Sequence, residues 1–375
     1  MFLGLVTLAE AQQGPPLTWT PVVEVRGRAM LTADDETERR IDQYARLGIE
    51  AERGIVSARV SFQGIRSWTA NDQRFTGEGS SAPELAEGWA RMTGVLSANV
   101  GATLTVGRQA ITIDDGRLVG ENRWSLTGQY LDALRLEVTA APIEFAYVNA
   151  RRFTDGADPF GFGVNVVRFG AGREGPVNRW KIDLLSVVDA RATDLTTATI
   201  GGYTRFDAGR WRSRGEAYVQ SNPEGTANLV AVEAGWVFGA DEGWHLLGGV
   251  DVASGDRAEV DGDAAFVPVL GDTHDVWGQL DLFNDPLATD LRGLVDLYVG
   301  CEARPARPVT LSVRLHRFSS EVDGGVYGVE ADLRALWHIS PFAALEAGYG
   351  HFSPLAGFRD EPVDQGYMEF DVSFR

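Results

Sequence analysis

The stretch Tyr367-Met-Glu-Phe-Asp-Val-Ser-Phe-Arg375 ends the sequence and indicates its fold. Successive side chains of an extended strand point to opposite sides, so this stretch has one apolar and one polar face. A final strand of this kind, with an aromatic residue beside its end, is typical of bacterial outer-membrane barrels. In such barrels the apolar face meets lipid and the polar face meets a wet lumen. The apolar face comprises Met368, Phe370, Val372 and Phe374.

The same alternation recurs along the whole chain, as in Val309-Thr-Leu-Ser-Val-Arg-Leu-His316. Charged residues oppose apolar ones in segment after segment, which is unusual for a soluble β-sandwich and expected for a membrane barrel. No stretch approaches the roughly 18 consecutive apolar residues that a membrane helix needs, so a helical membrane protein is excluded. Comparable alternating segments lie at 23–28, 45–50, 56–63, 134–138, 143–147, 230–238 and 329–335.

The links between these strands fall into two alternating classes. Outer-membrane barrels have short periplasmic turns at one end and longer loops at the other. Eight short and nine longer links require 18 strands, an even number, and place both chain ends in the periplasm. We therefore predict an all-β protein, a single 18-stranded antiparallel transmembrane β-barrel of the outer membrane, over residues 12–375. Short links are predicted at 51–54, 101–102, 140–142, 171–179, 206–209, 239–243, 304–308 and 339–341, and longer ones at 32–40, 69–89, 114–129, 154–160, 191–196, 220–227, 253–290, 319–325 and 353–366.

Residues 1–11 are predicted to lie outside the barrel. An apolar run followed by Ala9-Glu10-Ala11 resembles the end of a secretory signal peptide whose positively charged start is missing. The alternative for this segment is a buried N-terminal strand. Export to the bacterial outer membrane follows from the first reading, with outer-membrane lipid around the barrel. The net charge of −19 argues against nucleic acid as a partner, and the single Cys301 excludes an internal disulfide.

Several short motifs resemble the alginate export family of outer-membrane porins, and they keep that family's order over roughly residues 20–375. The resemblance implies an 18-stranded barrel that exports an anionic polysaccharide through an arginine-lined constriction. The motifs are Gly107-Arg-Gln109, Asp115-Gly-Arg-Leu-Val-Gly120, Trp124, Leu131-Asp-Ala-Leu-Arg135, Asp251-Val-Ala-Ser-Gly-Asp256, Phe266-Val-Pro-Val-Leu270 with His274, Gly278 and Asp281-Leu-Phe283, and Gly348-Tyr-Gly-His-Phe352.

Arginines on the polar faces of the strands are the candidate substrate-contact residues. A guanidinium group keeps its charge and binds carboxylates through two parallel hydrogen bonds, so a row of them could pass an anionic chain along. The run Arg210-Trp-Arg-Ser-Arg214 predicts three arginines on one side of one strand, about 6.5 Å apart. The alternative is that these arginines pair with lumenal acids and only hold the barrel together. The candidates are Arg108, Arg135, Arg152, Arg210, Arg212, Arg214 and Arg314, with Arg26, Arg28, Arg46, Arg59 and Arg334 chosen on the same criterion.

Two longer links could also carry function. Asp115, Arg117, Arg123 and Asp132 are candidate loop-base residues, and Asp132 is expected near Arg117 or Arg123. The link 253–290 is rich in acids and could fold over the mouth as a lid. Its carboxylates could bind calcium, but no twelve-residue calcium-loop pattern is present, so we predict solvated acidity, no metal site and no cofactor. The acids concerned are Asp256, Glu259, Asp261, Asp263, Asp272 and Asp275.

These observations predict a monomeric channel for export or passive diffusion of an anionic solute, including an acidic polysaccharide such as alginate. Periplasmic export proteins would be its partners. We predict that the chain is not an enzyme, because no histidine lies in a Gly-x-Ser-x-Gly or His-Glu-x-x-His motif. Two alternatives stay open, a plugged structural or docking barrel and a barrel-embedded hydrolase. A hydrolase would need a histidine hydrogen-bonded to both a serine and an acid at one rim, and His316 beside Ser319-Ser320 is the best candidate.

Overall fold

The structure is a computed structural model of the 375-residue chain. It shows 18 strands and a single short 3-10 turn at Pro286–Thr289 among the residues it describes. No helix in this described part is long and apolar enough to cross a membrane. The described residues are 15–34, 37–69, 83–151, 163–175, 178–190, 196–239, 243–257, 262–268, 270–272, 274, 276–284, 286–355 and 358–374.

The strands form one closed antiparallel barrel. Each pairs with its neighbours in sequence, and the first strand also pairs with the last, with Val23 opposite Phe374. The predicted fold class is confirmed. The strands are β1 Thr18–Ala33, β2 Thr37–Arg53, β3 Val56–Thr69, β4 Glu84–Ser97, β5 Val100–Ala110, β6 Tyr130–Ala140, β7 Ile143–Arg151, β8 Val164–Arg173, β9 Asn178–Ala190, β10 Thr196–Ala208, β11 Trp211–Asn222, β12 Gly225–Phe238, β13 Trp244–Ala253, β14 Leu294–Ala306, β15 Val309–Ser319, β16 Val326–Ser340, β17 Ala343–Pro354 and β18 Val363–Phe374.

The outer surface of the barrel is an apolar belt. Large apolar side chains that would be buried in a soluble protein point outward from nearly every strand, among them Leu47, Phe62 and Leu315. Aromatic residues concentrate at the end that carries the eight short turns, as in the aromatic girdles that mark a membrane interface. These exposed residues are Trp19, Trp211, Trp236, Phe238, Trp244, Trp337, Phe342 and Phe374.

Two links fold into the barrel rather than over it. We call residues 111–129 loop A and residues 254–293 loop B. Loop A packs its apolar side chains against an apolar inner face on β6 to β9, so the expectation of a polar inner face is wrong on this arc. Loop B also enters the lumen, where Trp277 and Phe283 are buried. The interior core comprises, among others, Ile111, Leu118, Val119, Val148, Val166, Val187, Leu270, Leu280, Phe318 and Phe352.

Candidate permeation site

Arg117 fixes loop A to one wall of the lumen. Its Nε lies 3.1 Å from Glu216 Oε2 on β11, and its Nη1 lies 2.8 Å from Asp251 Oδ2 on β13. All three side chains are about 2 % exposed. Burial disfavours the charge on Arg117, but Asp251 and Glu216 overcome this effect and raise the pKa of the guanidinium. A charge network this deeply buried holds the loop strongly, because losing one member leaves the others uncompensated.

Two acids beside Arg117 extend this attachment to β9 and β10. Asp114 Oδ1 accepts a hydrogen bond of 2.7 Å from Lys181 Nζ. Asp115 Oδ2 accepts one of 3.1 Å from the Tyr203 hydroxyl and lies 3.2 Å from Arg214 Nη1. The tip of loop A is therefore bonded to three neighbouring strands.

The returning half of loop A is bonded to the opposite wall. Arg26 Nη1 donates to the Arg123 carbonyl at 2.6 Å, and Arg28 Nη1 donates to the Trp124 carbonyl at 3.0 Å. The Arg28 guanidinium also lies over the Trp124 ring, 3.6 Å from its centroid. Arg26 and Arg28, which were predicted to contact substrate, therefore serve to hold the loop. Loop A crosses the lumen from β9–β13 to β1 and divides it.

Loops A and B cross at three glycines, two on loop A and one on loop B. The Gly120 amide donates to the Leu270 carbonyl at 2.9 Å, and the Asp272 amide donates to the Gly116 carbonyl at 2.9 Å. A Cβ atom added at Gly271 would lie 2.0 Å from the Arg117 carbonyl oxygen, so only glycine allows this approach. The crossing joins the two loops into one partition.

Three cavities adjoin this partition. The first, of about 450 Å³, lies under Asp115 and is lined by β9 to β14. The second, of about 380 Å³, lies beside Arg123 and is lined by β1 and β16 to β18. A third, of about 120 Å³, shares Glu302 with the first and Arg334 with the second, so it lies between them. We call the three cavities together the crescent.

Three arginines of these cavities are more exposed than an acid that holds them. Arg123 is 59 % exposed, and of its two partners Glu24 is 3 % exposed and Glu121 38 %. Arg179 and Arg205 are 40 % and 42 % exposed, whereas their shared partner Asp207 is 4 % exposed. At these three positions a solute meets positively charged hydrogen-bond donors, whereas Arg26 and Arg28 are less exposed than their partner Glu369.

The predicted contact residues do not all lie on the lumen wall. Arg135, Arg212, Arg214 and Arg314 face the lumen, although Arg214 is held by Asp115, Glu216 and Glu233 and Arg135 by Glu137. Arg210 lies in the turn between β10 and β11, so the three-arginine row is wrong. Arg152 lies outside the described residues.

Arg108 and Asp132 are the clearest corrections. Thr105 and Gln109 on β5 and Leu131 and Ala133 on β6 are buried on the inside of the barrel. Side chains alternate between the two faces of a strand, so Arg108 and Asp132 point outward. They oppose each other on β5 and β6, with 3.7 Å between Arg108 Nη1 and Asp132 Oδ2. The strand register places Asp132 outside the barrel, so neither Arg117 nor Arg123 is its partner.

Three exposed arginines of the crescent, Arg179, Arg205 and Arg304, were missed from the sequence. They occur near strand ends where the alternation is short, and only the register with Asp207 and Glu302 shows that they share a cavity. The calcium hypothesis finds no support in the described part of the chain, which contains no acid cluster able to hold a metal. There Asp263 pairs with Arg257 and Asp272 accepts from the Arg123 amide, while Glu259, Asp261 and Asp275 lie outside the described residues.

His316 does not form the triad sought at the rim. Its Nδ1 lies 2.9 Å from Asp296 Oδ2, and its Nε2 lies 3.6 Å from Asp332 Oδ2. The ring is 3 % exposed and points into the lumen. Its partners among these contacts are two carboxylates and no serine.

A closed 18-stranded barrel with an apolar belt and an aromatic girdle defines the class, an integral β-barrel of the bacterial outer membrane. Solved structures of the same fold come from Pseudomonas aeruginosa. OccK5 (OpdH) matches with a TM-score of 0.64 at 9 % identity, over 95 % of this chain and 98 % of that one. OccK11 (OpdR) matches with a TM-score of 0.64 at 10 % identity, over 95 % and 96 %. OpdK with vanillate matches with a TM-score of 0.61 at 11 % identity, over 95 % and 98 %.

No protein-family model and no curated protein matches the sequence. The outer-membrane localisation is confirmed, but the resemblance to the alginate export family is wrong. Solved structures that share the fold over nearly the whole chain include OccK and Opd porins. The short motifs that suggested alginate export lie largely in loops A and B and in strands next to them.

We expect the ion selectivity to depend on pH because of the Asp114 carboxyl group in loop A. Burial and a hydrogen bond with Asp183 raise the pKa of Asp114 to about 7, although Lys181 opposes the shift. Asp114 is therefore neutral below pH 7 and adds a negative charge to the lumen above it. We expect the anion-to-cation permeability ratio to fall between pH 6 and pH 8 by more in the parent protein than in Asp114→Asn. Reversal potentials in a salt gradient measure this difference, and any histidine contribution is common to both proteins.

Proposed function

We propose that this barrel is a porin for passive diffusion of small organic anions. The observation that carries the proposal is a set of three exposed arginines in the crescent, each with a buried acidic partner. Arg123 lies near Glu24, and Arg179 and Arg205 share Asp207. A carboxylate that enters the crescent can exchange water for guanidinium donors. Each arginine already has a carboxylate partner, so binding stays weak enough for release.

The partition of loops A and B sets the size of the solute. The cavities of about 450 and 380 Å³ suit a molecule of one or two rings, whereas a polymer would have to pass the bonded loop crossing. The related fold of OpdK, solved with vanillate, supports a small carboxylate as the solute class. A monomer and periplasmic partners stay predictions.

Substitution of the exposed arginines tests the proposal. In Arg179→Gln with Arg205→Gln, Asp207 loses both partners and its charge faces the first cavity. We expect a several-fold drop in the anion-to-cation permeability ratio and weaker block by benzoate-type anions, because the cavity changes by two charges. Arg108→Gln is the matched control, since this arginine faces outward and should leave selectivity unchanged.

The plugged-barrel alternative predicts a different result. A folded protein that shows no conductance in a planar bilayer would favour a structural or docking role over a channel. Cation selectivity with no response to benzoate would leave a channel but contradict passage of organic anions.

A further inference from the structure

A second group of polar residues lies on the outside of the barrel, away from the permeation site. His351 and Ser353 alternate with Phe352, which is fully buried in the interior core, so both point outward from β17. Asp364 is directly opposite His351 on β18. Ser353 precedes Pro354, the last residue of its strand, so the group lies at the end of the barrel opposite the aromatic girdle, where the longer loops emerge.

The three side chains are joined in a defined order. Ser353 Oγ lies 2.9 Å from His351 Nε2, and His351 Nδ1 lies 2.8 Å from Asp364 Oδ1. The Tyr349 hydroxyl also donates to Asp364 Oδ1. With Nδ1–H donating to the carboxylate, Nε2 is left to accept the serine proton. This is the serine, histidine and acid arrangement that activates a serine for attack on an acyl carbon.

An apolar cleft opens beside the serine. It measures about 420 Å³ and is lined by His351 and Ser353 together with lipid-facing side chains of β14 to β16. Its lining includes the small side chain of Ala331, which is paired with Leu315 on one side and with His351 on the other. A hydrocarbon chain fits such a surface. The apolar lining comprises Leu297, Val299, Leu315, Val329 and Ala331.

Arg317 supplies a positive charge at the same level of the barrel. It is paired with Val329, which in turn is paired with Ser353, so Arg317 lies two strands, or about 10 Å, from the serine. Its side chain is exposed, lines the same cleft, and has no ion pair within the described residues. A bare cation on the lipid side of a barrel is expected where it meets an anionic headgroup.

We propose that Ser353, His351 and Asp364 form a lipid-facing esterase site that hydrolyses an acyl ester of a phosphate-bearing outer-leaflet lipid. Ser353 Oγ attacks the acyl carbon and His351 takes its proton. The bond to the lipid hydroxyl then breaks, and His351 returns the proton to that leaving oxygen. Water, activated by His351, releases the fatty acid from the acyl-serine and restores the serine. Arg317 binds the phosphate, and the cleft holds the acyl chain.

The test uses the full refolded barrel in mixed micelles, in a buffer that contains calcium so that no divalent requirement is missed. Two probes are offered separately, phosphatidylglycerol and diphosphorylated lipid A, and released fatty acid is measured by mass spectrometry. A fluorophosphonate reagent reports whether Ser353 is nucleophilic, read as an adduct on its peptide. We expect fatty-acid release from one probe or both, and the probe that reacts identifies the lipid class.

Variants separate a catalytic site from a merely polar surface. Ser353→Ala and His351→Asn should each lower the rate by about a thousand-fold or more, and Ser353→Ala should abolish the adduct. Arg317→Gln should raise KM more than it lowers kcat, because it acts on the headgroup. Ser312→Ala, a lumen-side serine on β15, is the control, and bilayer conductance verifies that each variant is folded.

Absence of both hydrolysis and the adduct in a conducting barrel would overturn the proposal. An adduct on Ser353 without turnover of either lipid would overturn the lipid substrate. Release that persists in Ser353→Ala would assign the activity to a contaminant and overturn it as well.

Discussion

Replacement of Arg117 by alanine should raise the single-channel conductance several-fold without unfolding the barrel. The guanidinium lies between Glu216 and Asp251, and all three groups are about 2 % exposed. Its loss leaves two buried carboxylates facing each other, a change that costs about 3–5 kcal/mol for a buried pair. The strand ladder does not depend on Arg117, so the cost is relieved by release of loop A. Single-channel conductance and protease cleavage within loop A measure the effect.

Two further variants make this prediction specific. Arg135→Ala removes a lumen arginine whose partner is Glu137 on its own strand, and conductance should stay near the parent value. Arg117→Ala combined with Glu216→Gln and Asp251→Asn removes the repulsion and should restore much of the parent conductance. An unchanged conductance in Arg117→Ala would contradict the role of this network in holding the loop.

Reversal of the charge at Arg123 should have the largest effect on selectivity. This side chain is 59 % exposed. It lines both the second cavity and a smaller one between loop A and strands β1 and β2. A change of two unit charges about 4 Å from a passing ion alters its energy by about 2 kcal/mol in water. Salt screening reduces this value, so Arg123→Glu should lower the anion-to-cation ratio by about ten-fold. Reversal potentials at two salt concentrations measure it.

Arg304→Glu serves as the comparison for this variant. Arg304 also lines the first cavity and is well exposed, but it lies near the end of β14 at the short-turn rim, and its ion pair is with Glu302 of its own strand rather than with loop A. Its reversal should change selectivity far less if the partition is the narrow part of the path. Equal effects at Arg123 and Arg304 would show that the partition does not limit passage.

The barrel was predictable because the residue pattern within each strand shows which face lies toward lipid and which toward the lumen. Alternation along segments such as Val309–His316 follows directly from one face in lipid and one in the lumen. The parity of short and long links then gave 18 strands, and sixteen of the seventeen predicted links overlap a connection in the structure. The exception is 101–102, which lies inside β5, next to the turn at 98–99. Local pattern suffices for this level of structure because each strand pairs with its neighbours in sequence.

The interior was not predictable in the same way. Arg108 was placed in the lumen because of its charge, although alternation along β5 puts it on the outward face together with Val106, which is 49 % exposed. Arg26 and Arg28 were assigned to substrate, yet they bond the backbone of a loop about a hundred residues away. Contacts between loop A and the walls are long-range, and no local period encodes them.

The histidines also show that contacts between strands cannot be read from a local sequence pattern. His316 was the sequence candidate for a hydrolase because two serines follow it, but it faces the lumen between Asp296 and Asp332. The arrangement sought occurs at His351, where the serine is two residues away on one face and the acid comes from the register of β17 with β18. The His-x-Ser spacing was visible, whereas its acidic partner required the strand pairing.

The most direct test of the central claim is the reversal potential of the refolded barrel in a planar bilayer, with potassium chloride on one side and potassium benzoate on the other. An arginine-lined crescent predicts that benzoate carries current and that anions permeate better than potassium. It further predicts that Arg123→Glu removes this preference. A barrel that conducts potassium in preference to either anion would contradict the account.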